Sequence, residues 1–231
     1  MAAAPPGWTP VMCQSCGSAV AIERFQNLDT GETAMFCGSA ECQRIGPRST
    51  QRPSAASCRA LKTESRRIFA EHGKLTLDYI HAQLDSPVDS SPAIDAAATP
   101  LMRNQEEIGA FLNQLIPGVQ EVATRLFKEH IGGAVKILLG AKHGTSKLQM
   151  RELEMQWHRN GRQISAAIAP GLGLSKEDFN DHMFMHLVTT LDEALLHRPG
   201  QPPTGEELAQ YAIVQNHLKM MADLIVSGVC Q

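Results

Sequence analysis

The sequence predicts a mainly α protein: a six-helix bundle of three αα-hairpin repeats, period about 56, preceded by a small zinc-binding knuckle domain. Three observations carry this expectation. A His-then-Asn pair recurs three times, as His72 with Asn104, His130 with Asn160 and His186 with Asn216. The asparagines are 56 residues apart, as are His130 and His186, while His72 precedes His130 by 58. An internal repeat constrains architecture before any single residue does. Apolar residues also recur at fixed offsets from these pairs with a helical period. Finally, the cysteines near the start fall in two short-spaced pairs, a pattern of metal ligation rather than of a core.

In chain order, residues 1–10 are expected to be disordered and lack the basic and apolar regions of a secretory signal. Residues 11–46 form the knuckle. Cys13-Gln-Ser-Cys16 and Cys37-Gly-Ser-Ala-Glu-Cys42 are separated by twenty residues. Four thiolates close a tetrahedral zinc site, and each short spacing lets one turn supply two of them. Between the pairs, Ala19 to Phe25 and Thr33 to Phe36 are expected as strands joined by the turn Asn27–Gly31. A short helix capped by Ser39 is expected to follow Cys37. Strand, strand and ligand-bearing helix resembles a treble-clef or FCS-type zinc finger, with one residue more between the ligands of Phe36-Cys37-Gly38-Ser39-Ala40-Glu41-Cys42. A closed four-thiolate site leaves no position for substrate, so this zinc is read as structural. It would stand in for a core that some forty residues cannot build. Cys58 and Cys230 have no partner at such a spacing and are read as free thiols.

Residues 47–60 read as a basic linker, broken by proline and serine. From Arg44 to Arg67 seven basic residues face one acid, so the segment carries +6 and the rest of the chain −9. Two readings follow. Arg44, Arg48 and Arg52 contact nucleic acid or another anionic partner, or the stretch is a solvated hinge docking on the acidic bundle.

From 61 onward the pattern is helical, with segments expected at about 61–84, 98–115, 119–141, 147–169, 175–197 and 205–228. Proline and glycine separate them, and Ser175 and Thr204 stand at capping positions with acids in the first turn. Relative to the ladder, Phe69, Phe127 and Met183 align, as do Ile108, Ile164 and Met220, and Leu101, Trp157 and Ile213. These offsets trace an inward stripe, so the histidines and asparagines belong to it. Met155, Met183, Met185, Met220 and Met221 are read as core.

The ladder admits three readings: His–Asn hydrogen bonds that fix register, a central site for a metal or small polar ligand, or a groove for a partner. His182 and His186, spaced i and i+4, share a face and could clamp one ion. A di-iron centre is disfavoured, because Thr76, Ala134 and Thr190 occupy the positions where a carboxylate companion would stand. Residues 66–228 resemble an uncharacterised family of bacterial all-helical bundle proteins. Phe69-Ala70-Glu71-His72, Arg103–Gly109, Lys128–Ile131, Trp157–Asn160 and His186–Thr190 carry the resemblance. It implies an all-α bundle with an important His/Asn set and brings no activity.

No phosphate loop or nucleophile elbow is present: Gly171-Leu-Gly-Leu-Ser lacks the lysine and the preceding strand. No stretch of 18 or more apolar residues exists, so a cytoplasmic protein without a membrane partner is expected. The functional expectation is a zinc-binding interaction or assembly protein whose knuckle and basic linker contact a partner, a protein or, through the linker, a nucleic acid, and whose helical bundle is a rigid scaffold. The alternative is a sensor or redox bundle holding a second metal or ligand at its His/Asn layer.

Overall fold

The protein is described from a computed structural model that covers residues 54–230, together with the backbone of 22–26 and 33–37. Strands β1 (Ile22–Gln26) and β2 (Thr33–Cys37) pair antiparallel, with Ile22 opposite Cys37 and Gln26 opposite Thr33. This is the hairpin expected between the two cysteine pairs. Cys13, Cys16 and Cys42, the Ser39 cap, residues 1–10 and Arg44, Arg48 and Arg52 lie outside the described residues.

Six helices follow: α1 (Ala55–Asp85), α2 (Pro92–Leu115), α3 (Gln120–Lys142), α4 (Lys147–Leu172), α5 (Lys176–Leu196) and α6 (Gly205–Cys230). Two begin six residues before their expected starts. Ser54 caps α1 by accepting the Ser57 N–H at 3.1 Å, so residues 55–60 are helix rather than linker. Ser91 caps α2, and Pro92 stands at its start, where a missing N–H costs nothing. Gly173, at φ 74°, ends α4 in the left-handed conformation that favours glycine.

Each helix packs on the next, and α6 packs back on α1, so the six close into a ring. Two main apolar clusters fill it, beside a small one of Ile137, Trp157 and Leu187. The larger holds Ile108, Leu112, Ile164, Ile168, Phe179 and Met221 among others; the second holds Tyr79, Ile80, Leu101, Ile131 and Leu138. Fully burying each such side chain contributes about 1.5–3 kcal/mol. Along α1, α3 and α5 the ladder histidines fall between residues of the two clusters, and Asn104 does the same on α2. A polar layer therefore separates two greasy ones.

The ring corrects three expectations. Cys58 and Cys230 form a disulfide, with Cα atoms 5.9 Å apart, and are not free thiols. Their 172-residue separation hides them from spacing rules, but closing α6 on α1 brings the first turn of one against the last turn of the other. Met155, Met185 and Met220 are 58%, 47% and 56% exposed, so only Met183 and Met221 of that set are core. Ile213 is also exposed, its expected inward place being taken by Val214.

The second half of the basic run docks on the bundle. Arg66 makes two 2.6 Å bonds to Asp223, and Arg67 pairs with Glu64, Glu71 and Glu107. Exposed pairs of this kind contribute about 0–1 kcal/mol each. Among the described residues no helix is long and apolar enough to cross a membrane.

Candidate functional site

Two histidine clusters stand out, at different heights. The first is the ladder. His72, His130 and His186 come from α1, α3 and α5 and are all buried. The His186 ring lies 5.8 Å from His72 and 5.9 Å from His130, so the imidazoles converge as expected. On the first two rungs the partner is the expected asparagine. The Asn104 side chain donates to the Ile68 carbonyl at 3.2 Å and presents its oxygen to His72 Nδ1 at 3.2 Å. The nearby Gln105 amide gives its hydrogen to the Leu101 carbonyl at 2.8 Å. Asn160 repeats the pattern, donating to the Leu126 carbonyl at 3.1 Å and facing His130 Nδ1 at 3.0 Å. Both Nδ1 atoms therefore carry the hydrogen, which leaves each lone pair on Nε2.

The third rung is shifted. Asn216 is exposed, and His217 occupies the equivalent place one residue later. His217 Nε2 donates to the His182 carbonyl at 2.8 Å. Ile68, Leu126 and His182 each precede their ladder histidine by four residues, so the same backbone position is served in every repeat. His186 Nδ1 has the Thr190 hydroxyl at 3.4 Å in place of an asparagine. His182 is half-buried and faces His217, ring centroids 5.6 Å apart, rather than joining His186.

Below the layer, Thr76, Ala134 and Thr190 line an apolar cavity of about 30 Å³ with Leu101 and Trp157. Trp157 stacks on His130 at 5.1 Å and donates to its carbonyl at 2.9 Å. Gly133 permits this, since a Cβ there would meet the indole at 2.6 Å. Burial disfavours the imidazolium throughout. It pushes His72 down to about 4; burial and the neighbouring His72 push His130 to about 3, and His186 is held well below its ordinary value.

The ladder thus binds mainly its own backbone. Asn160→Ala would orphan the buried His130 Nδ1–H and remove a second donor from the Leu126 carbonyl, and is expected to cost about 1–3 kcal/mol in urea unfolding. Asn216→Ala should change stability by about 0.5 kcal/mol at most, being exposed. Equal effects of the two would refute the shifted third rung.

The second cluster was not foreseen in the sequence, because its members come from three helix ends. His81 lies nine residues beyond His72 on α1, about 13 Å further along. Its Nε2 is 2.9 Å from Glu207 Oε1, in the first turn of α6. His197, the C-terminal cap of α5, brings Nδ1 to the same oxygen at 3.0 Å and its Nε2 to Asp85 at 2.9 Å. The two imidazoles stack with centroids 4.2 Å apart. Burial works against the His197 charge, but its bonds to Glu207 and Asp85 outweigh it and raise the pKa. Burial likewise opposes ionised Glu207, and the bonds from His197 and His81 hold its pKa below the usual carboxylate range. The Glu193 side chain, one turn before His197 on α5, is buried with neither oxygen hydrogen-bonded. Burial and then Glu207 push it up to about 7.

Comparison with protein families, curated proteins and solved structures returns no match for this chain.

Proposed function

We propose that the chain is a zinc-binding interaction protein. Cys13, Cys16, Cys37 and Cys42 hold one structural zinc, the knuckle and basic stretch around Arg44, Arg48 and Arg52 contact a partner, and the bundle is the rigid body behind them. The observation that carries this reading is the register of the hairpin. Cys37 ends β2 opposite Ile22, the first residue of β1. In the sequence Cys16 stands six residues before β1 and Cys42 five after Cys37, so one cysteine pair precedes the hairpin and the other begins at its last residue. Two such pairs supply the four thiolates that a single tetrahedral zinc takes.

The bundle fits a supporting role, since its polar layer is largely spent on its own carbonyls and its ends are cross-linked. Purified full-length protein is expected to carry one thiolate-bound zinc, which disappears in the Cys13→Ser/Cys16→Ser variant with helical circular dichroism retained. Retention of that zinc by the variant would overturn the reading. Should the partner be a nucleic acid, affinity will fall steeply with salt, and less steeply once Arg44, Arg48 and Arg52 are replaced by glutamine.

A second reading, a ligand in the ladder, is favoured by the convergence of His72, His130 and His186. Their Nε2 atoms would be the donors on the first two rungs, since Nδ1 is engaged there. A metal equivalent lost from His130→Ala and His186→Ala would support it.

A further inference from the structure

From the second cluster we infer that the meeting point of α1, α5 and α6 is a binding site for one divalent transition-metal ion of the zinc class, held by His81, His197 and Glu207. This site is independent of the cysteine array and of the ladder. Among the described residues these three form a set in which one donor atom from each lies within 4.8 Å of the others. Around a tetrahedral zinc with bonds of about 2.0–2.2 Å, ligand atoms stand roughly 3.3 Å apart. The 2.9 and 3.0 Å separations of Glu207 Oε1 from His81 Nε2 and His197 Nδ1 need to open by a few tenths of an ångström, and the two imidazoles, stacked 4.2 Å apart, must splay as they take the ion.

The surroundings are also those of a metal site. The nitrogen of His197 that points away from Glu207 is bonded to Asp85, which the Gly200 N–H holds in turn at 2.8 Å. A carboxylate behind a ligating imidazole fixes its tautomer and strengthens it as a donor. With an ion bound, His197 would keep its hydrogen on Nε2 for Asp85 and turn the Nδ1 lone pair inward. Glu207 is anchored by its own backbone, whose N–H is capped by Thr204 at 3.2 Å. The His197 and Glu207 side chains are each only 3% exposed, while His81 at 27% leaves a path for entry.

Glu193 supplies the independent observation. A buried carboxylate with both oxygens unpartnered is rare and costly. It stands four residues before His197 in the chain. Two imidazoles and a carboxylate suit zinc, and also cobalt as its substitute, better than magnesium or calcium.

The test uses the chelator-treated full-length chain and Co²⁺. An ion on the cysteine array gives an intense thiolate-to-cobalt charge-transfer band, whereas one on His81, His197 and Glu207 gives only visible d–d bands. A titration that shows a second equivalent, adding tetrahedral d–d absorption with no added thiolate band, is expected. His81→Ala, on the partly open side, should weaken that equivalent by roughly 100-fold or more and leave the thiolate band unchanged. Glu207→Gln, which preserves shape and hydrogen bonding, should do the same. Binding that shows the thiolate band alone, or a second equivalent as tight in both variants as in the parent, would reduce the cluster to an ion-pair network and overturn the inference. Because the thiolate band is read separately, failure here leaves the zinc knuckle standing, and its absence leaves this site standing.

Discussion

Acidification from pH 7 to pH 5 is expected to cost the metal-free bundle at least about 2 kcal/mol of stability, with unfolding before the carboxylates as a class are protonated. In the unfolded chain each ladder histidine titrates near its ordinary value of about 6.5. In the folded chain His72 titrates at about 4 and His130 at about 3, and His186 also lies well below the ordinary value. Between these limits only the unfolded state binds the protons, so stability falls as pH drops through 6.5 and continues to fall toward 4. Linkage gives about 2 kcal/mol by pH 5 for each of His72 and His130, and His186 adds in the same direction. Glu193 acts in the opposite sense. Held at about 7 in the folded chain, it takes up its proton before the unfolded chain does and returns roughly 2 kcal/mol. Denaturant midpoints measured from pH 7.5 to 4.5 would check this. In His130→Leu the slope should be shallower by about one proton near pH 5.5, and an unchanged slope would refute the buried neutral ladder.

Reduction of the disulfide between Cys58 and Cys230 is the second large effect. It encloses 172 residues of sequence, and cross-links of that span stabilise by about 3–5 kcal/mol, chiefly by restricting the unfolded chain. Cys58→Ser and Cys230→Ser should each lower the unfolding free energy by that amount, and dithiothreitol should bring the parent to the same value. The helical signal at 25 °C should survive all three treatments. If the parent shows no shift on reduction while both thiols become titratable, the cross-link contributes nothing to folding. The bond also separates two kinds of cysteine within one chain. Cys58 and Cys230 are paired by oxidation, whereas the proposed zinc site needs its four sulfurs as thiolates.

Much of the architecture was legible because it rests on periodic signals. The six helices, their order and the burial of His72, His130, His186, Asn104 and Asn160 follow from apolar stripes of helical period. The third rung was misread because the repeat is 57 residues long there, and one residue on a helix turns a side chain through about 100°. That rotation carries Asn216, Ile213 and Met220 outward and brings His217, Val214 and Met221 to the inside. The early starts of α1 and α2 were missed because Pro92 and the Ser-rich approach to α1 read as breakers, although serine caps and a proline in the first turn open helices equally well. The cluster of His81, His197 and Glu207 had no signal of its own. Its members are a residue near the C-terminal end of α1, a cap and a first-turn acid, separated by 116 and ten positions, and only ring closure makes them neighbours.

The covalent link between the first turn of α1 and the last residue of α6 also defines a load path. Tension arriving from the N-terminal segment enters the bundle beside Cys58 and crosses directly to Cys230, so it bypasses the helix interfaces. Whatever the front of the chain grips, pulling on it would not peel α1 from its neighbours while that bond is intact. The bundle then behaves as a closed buckle rather than a zip.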